Sequence, residues 1–148
     1  MSADPRPCVF CEIIAGREVA SRVYEDDTLV AFMTLRPTRP GEFLVIPKAH
    51  IDHFIDVPDD VATHVLLVAQ RLARRSQNKL RPQRMGYVVH GFGVAHAHLV
   101  VVPLHHSDDI TSARFAQVKD GQAMFGLSHI PFTPRDELDR MARLLAAD

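Results

Sequence analysis

The chain has almost no net charge. Seventeen Lys and Arg stand against eighteen Asp and Glu, a formal balance of −1 with histidine neutral. No basic footprint for nucleic acid follows from that. No apolar run has the length of a membrane span, and no basic stretch leads into an apolar one as in a secretory leader. A cytoplasmic location is the expectation. Internal repeats and low-complexity tracts are missing. Cysteine is scarce: the two residues form a single Cys8-x-x-Cys11 pair. In a reducing compartment such a pair reads as metal or redox ligands, or as two small buried side chains, before it reads as a structural disulfide. A redox pair usually opens a helix after a strand. The short, proline-containing stretch 1–7 reads as a frayed terminus and offers no such strand.

What remains is ordinary for a soluble domain: 47% hydrophobic and 24% charged residues. A length of 148 residues suits one domain spanning 1–148. The densest chemical signal is the run His96-Ala97-His98-Leu99-Val100-Val101-Val102-Pro103. Its β-branched residues predict a strand over 96–103, closed by the proline. Side chains two apart share a face, so His96, His98, Val100 and Val102 point one way, with the two imidazoles about 6–7 Å apart along the strand. Ala97, Leu99 and Val101 point the other way. Two adjacent histidines on an apolar strand are either hydrogen-bonded core residues or functional ones.

Elsewhere, Arg22–Glu25 and 28–34 read as a hairpin turning at Asp26-Asp27, with Leu29, Ala31 and Met33 on one face and Val30, Phe32 and Thr34 on the other. Prolines and glycine make 36–41 a loop. Phe43-Leu44-Val45-Ile46 reads as a central strand that delivers Lys48 and His50 to its end. Pro58-Asp59-Asp60 starts a long helix. Its stripe is Val61, Val65, Val68 and Leu72, widened by Ala62, Leu66, Ala69 and Ala73. Arg71, Arg74, Arg75 and Lys79 fall in its last turns and complement the helix dipole. A strand is expected over 86–90, then a tight Gly91-Phe92-Gly93 connection. The stretch 108–132 has few periodic signals and reads as a segment folded over the site or onto a second subunit. Thr133-Pro134-Arg135-Asp136 has the form of a capping box opening a last helix striped by Leu138, Met141, Leu144 and Leu145. The fold class is α+β: a mainly antiparallel sheet of about five strands, one long helix and a C-terminal helix.

Cys8-x-x-Cys11, the Tyr24-Glu25-Asp26-Asp27 turn, Pro40-Gly41-x-Phe43-Leu44-Val45-Ile46-Pro47, Pro47-Lys48-Ala49-His50 and the His96–Pro103 run occur in an order and spacing that resembles the histidine triad (HIT) family. That family comprises nucleotide hydrolases and transferases, and the resemblance covers the chain from about Cys8 to Pro103. It implies a HIT-like fold and a homodimer with one sheet continuous across the interface. It implies structural Zn2+ held by Cys8, Cys11, His50 and His96. His98 matches the family's nucleophile, which attacks an α-phosphate to give a nucleotidyl-histidine while its other ring nitrogen is held by a backbone carbonyl. Substrate contacts would fall at Thr34, His90, Gly91, Phe92, Gly93 and position 100.

Three positions depart from the family pattern. The third motif histidine is Val100, which can donate neither a hydrogen bond nor a charge. The acidic residue that binds ribose aligns with Thr34. The hydroxyl or amide residues before the motif align near Phe92 and Gly93, while His90 stands about where the family often has Asn. Two functions follow as expectations. One is a zinc-containing enzyme acting on nucleoside phosphoramidates, dinucleoside polyphosphates or similar conjugates through His98. The other is a catalytically weakened nucleotide-binding or interaction module.

Overall fold

The computed structural model describes residues 7–110 and 115–147. The expected frayed terminus 1–7 lies outside the described residues apart from Pro7. Five strands form one antiparallel sheet: β1 (Arg22–Glu25), β2 (Leu29–Met33), β3 (Phe43–Pro47), β4 (Arg84–Val88) and β5 (Leu99–Leu104), in the order β1-β2-β3-β5-β4. The apolar alternation of β2, β3 and β5 decides what each face does. Leu29, Ala31, Met33, Phe43, Val45, Leu99 and Val101 pack on the helices. The opposite face carries Val30, Phe32, Leu44, Ile46 and Val100, and it is covered by Phe10 and Ile13 of the short helix α1 (Val9–Ile14). The sheet is therefore buried on both faces, which is why β2 and β3 are apolar at every position.

The long helix α2 (Asp59–Leu80) buries Val65, Val68, Ala69, Leu72, Ala73 and Ser76. Leu66, expected in the stripe, is exposed because it lies to one side of the arc that meets the sheet. Helix α3 (Arg135–Ala146) buries Leu138, Ala142 and Leu145 beside α2, and leaves Leu144 outside. Its capping box does not form. Pro134 occupies the cap position without a side-chain bond, and the N–H of Thr133 donates to the Leu35 carbonyl, tying the segment to the loop after β2. Strand β4 begins two residues before the expected 86, because Arg81 ends α2 in the left-handed conformation and the Gln83 N–H already pairs with Leu104.

Two further short strands, β6 (Ala116–Lys119) and β7 (Gln122–Phe125), form a hairpin within 108–132, where no strand was expected. Its turn is Asp120-Gly121, both at positive φ of 52° and 76°. An Asp-Gly pair between short alternating segments is the strongest local signal for such a turn.

Candidate functional site

The two histidines do not lie within a strand. The ladder of β5 starts at Leu99, and 96–98 are its extended lead-in, with a bend at His96. The reason is where the polar groups go. The Ala97 N–H donates to the Ile51 carbonyl at 2.6 Å and the His96 N–H to the Val94 carbonyl at 2.8 Å, so neither is available to a ladder. Even so, both rings stay on the α1 face, each against the ring of Phe10.

His96 is fully buried. Its Nε2–H donates to the Pro47 carbonyl at 2.8 Å, which fixes the tautomer and turns the Nδ1 lone pair toward the cysteines. Burial, and then the neighbouring His50 and His98, push its pKa down, so the ring is neutral and able to act as a ligand. Cys8 Sγ lies 3.5 Å and Cys11 Sγ 3.7 Å from that Nδ1, and Cys11 Sγ lies 3.3 Å from His50 Nδ1. The four ligand atoms all fall within 4.8 Å of one another. A tetrahedral zinc with Zn–S near 2.3 Å and Zn–N near 2.05 Å has S···N edges of about 3.6 Å. The donor set and its spacing therefore fit a closed Cys₂His₂ metal site. Burial and the adjacent Cys8 push the Cys11 thiol up to about 11, and a bound cation reverses that preference by favouring thiolate. The sequence places the thiols at the start of α1 and the imidazoles after β3 and before β5. The fold brings these three regions together.

His98 lies beside this cluster. Its Nδ1–H donates to the His96 carbonyl at 2.7 Å, so Nε2 carries the lone pair. The ring is half-buried and meets Phe10 edge-on at 5.5 Å. Val100 follows on the same face, packed with the Phe10 and Phe32 cluster. His90 stands two residues beyond the end of β4; its Nδ1 accepts the Phe92 N–H at 3.1 Å, so it braces the loop that Gly91 and Gly93 bracket at φ of 78° and 99°. Phe92 projects from that loop at 81% exposure.

Thr34 does not join the group. It lies past the far end of β2, where its N–H donates to the Glu42 carbonyl, and it lines a shallow cavity with Glu42, Thr133, Glu137 and Met141. Lys48 is drawn away to Glu25, at 3.0 Å. His105 and His106 give their N–H groups to the buried Asp109, which also binds Arg39. Two participants escaped the sequence reading: Phe10, whose place between the cysteines was the available signal, and the Pro47 carbonyl, for which there was none.

The HIT domain family model matches residues 16–107. An uncharacterised HIT-like protein of Mycobacterium tuberculosis is 35% identical over 113 residues, 73% of this chain and 78% of the relative. Protein hit of Bacillus subtilis is 30% identical over 107 residues, 69% of this chain and 74% of the relative. A Zn-bound histidine triad family protein from Mycobacterium smegmatis superposes with a TM-score of 0.71 at 29% identity, over 94% of this chain and 90% of that one. A Hit-like protein from Bartonella henselae shares the fold at 21% identity, with a TM-score of 0.76 over 98% of each chain. The family match takes in the whole five-stranded sheet together with His50, His96 and His98, and the chain therefore belongs to the HIT domain family, as a CxxC-containing member in which Val100 replaces the third motif histidine.

Proposed function

We propose that this protein is a nucleotide hydrolase or nucleotidyl transferase acting on the α-phosphate of nucleoside phosphoramidates, dinucleoside polyphosphates or similar conjugates. The observation that carries the reading is the 2.7 Å bond from His98 Nδ1–H to the His96 carbonyl, which leaves Nε2 as the free nucleophile. Nε2 attacks the α-phosphorus, the phosphorus–leaving-group bond breaks, and the leaving group takes up a proton. Water or another acceptor then displaces the histidine and regenerates its neutral ring. The Gly91-Phe92-Gly93 loop, with His90 behind it, bounds the substrate on this face, and Val100 completes the proposed contacts.

In this reading Cys8, Cys11, His50 and His96 hold Zn2+. A closed four-ligand site has no open position for substrate, so the ion supplies structure: it ties α1 to the loops before β5 and after β3. The protein works as a single HIT-like domain over 1–148, as a cytoplasmic homodimer. The outer edge of β4 supports the dimer, being unpaired among the described residues, with the exposed Tyr87 in the strand and the exposed Val89 just past its end.

Release of nucleoside monophosphate from an adenosine phosphoramidate by the wild type, absent in His98→Ala, is the expected result. Val100 favours the second reading, a nucleotide-binding module with weakened catalysis. Equal inertness of both proteins, with nucleotide binding kept, selects it.

A further inference from the structure

We propose that the β6–β7 hairpin is a dimerisation arm, whose apolar face seats on the exposed Phe92 loop of a second copy of this chain. The inference rests on the homodimer reading above and adds to it a second contact, away from the β4 edge.

The hairpin has two unlike faces. Ala116 stands opposite Phe125 and Val118 opposite Ala123, so these four share one side, while Gln117, Lys119, Gln122 and Met124 share the other. The apolar side is open to water: Val118 is 78% and Phe125 64% exposed, and both alanines are exposed. Two strands of four residues that form a sheet of their own are marginal in water unless something covers their apolar side. Phe92 has the same need, at 81% exposure on the loop that follows β4. Within one chain neither covers the other, since both stay exposed.

The topology brings them together across two copies. Strand β5 runs from the His98 end of the sheet to Leu104, which lies opposite Arg84 at the start of β4. Beyond it the chain turns back over β4, where Ile110 Cδ1 lies 3.4 Å from the place a Cβ on Gly86 would take. Phe115 is then at most about 18 Å from Ile110, so the hairpin departs from the starting half of β4. The Phe92 loop lies at the finishing end, past Val88. Two copies that pair antiparallel along their β4 edges, about a two-fold axis, set the start of each strand beside the finish of the other. That one operation brings each hairpin to the other copy's Phe92 loop. Edge pairing by a strand of five residues is small beside the ~1,000 Å² that a specific interface clears. The apolar contact between hairpin and loop, made twice by the symmetry, supplies area that the β4 edge lacks.

The test uses the full-length protein, and sedimentation of the wild type gives the dimer and its Kd. p-Benzoylphenylalanine in place of Val118 puts a photoprobe on the apolar side and leaves Phe92 intact. Dimers re-formed from ¹⁴N and ¹⁵N chains and irradiated are expected to give mixed-isotope cross-links to the peptide holding Gly91, Phe92 and Gly93. Phe125→Ser and Phe92→Ser are each expected to weaken the dimer about 10-fold or more, with circular dichroism and zinc content unchanged. The double variant loses no more than about twofold beyond the weaker single, because both substitutions break one contact. Cross-links of a single isotope within a dimer put the hairpin on its own chain and overturn the proposal, as do mixed cross-links to another surface. Wild-type affinity in Phe125→Ser also overturns it, and leaves the β4 dimer standing. A monomeric wild type refutes the homodimer reading itself, and the arm with it.

Discussion

The carbonyl oxygen of His96 accepts the Nδ1 proton of His98 at 2.7 Å, while the His96 ring turns its own Nδ1 to the sulfurs of Cys8 and Cys11 at 3.5 and 3.7 Å. One residue thus joins a metal-ligand cluster to a candidate nucleophile, and loss of either function should be felt by the other.

The metal comes first. Purified protein should carry about one zinc per chain, as a Cys₂His₂ site requires. Cys8→Ser should lose it and be destabilised by roughly 3 kcal/mol or more, about 10 °C in melting temperature for a chain of this size. Elemental analysis paired with thermal melts checks this. Metal-free wild type that melts with the Cys8→Ser variant would refute it.

Asp26 gives a prediction independent of function. Its Oδ1 accepts the N–H groups of Thr28 and Leu29, and its Oδ2 meets the Tyr24 hydroxyl at 2.7 Å and His64 Nε2 at 2.6 Å. Burial opposes its ionisation, but these four donors outweigh burial and hold the carboxyl well below the usual range. A lowered carboxylate pKa stabilises the fold above the unfolded value, about pH 4, and the contribution fades as pH falls below it. Asp26→Asn should therefore cost about 1–2 kcal/mol at pH 7. The gap to wild type should narrow in urea titrations below about pH 4.

Glu42 runs the opposite way. It is 8% exposed, and burial pushes its pKa up to about 7 despite the Thr38 N–H donated to Oε2. A raised carboxyl pKa leaves stability intact at low pH and erodes it as pH rises from about 4.5 to 7. Glu42→Gln keeps an acceptor for Thr38 and removes the charge. It should match wild type near pH 4.5 and exceed it by roughly 1–3 kcal/mol at pH 8. Melting curves at the two pH values read this directly.

How much of this was legible in the residues differs by level. Face assignment was: the alternation in 29–33 and 99–101 sorted side chains correctly because the sheet is covered on both sides. The ligand set followed from the family pattern, not from spacing, since Cys11 and His96 lie 85 positions apart. The β6–β7 hairpin was legible and missed, since Asp120-Gly121 marks its turn. The tautomer of His98 was not legible, because it depends on the bend at His96, which a loop carbonyl from Ile51 creates. Nor was the remoteness of Thr34, because the pocket it lines is built with α3.

Val100 is the position where this chain departs most from the family motif. It follows His98 by two residues on the same face. Val100→His should place a donor beside the transferring phosphate and raise kcat/KM by one to two orders of magnitude, roughly 1.5–3 kcal/mol at the transition state. A gain below twofold, with His90→Ala costing activity in the wild type, would assign that donor role to His90 instead.

In the proposed reaction His98 becomes covalently nucleotidylated. Rapid quenching with an adenosine phosphoramidate, followed by peptide mass mapping under conditions that preserve P–N bonds, detects that species. An adenylyl group is expected on the peptide containing His98, localised to that residue and absent from His98→Ala. An adenylyl group on another residue, or turnover that persists undiminished in His98→Ala, would contradict it.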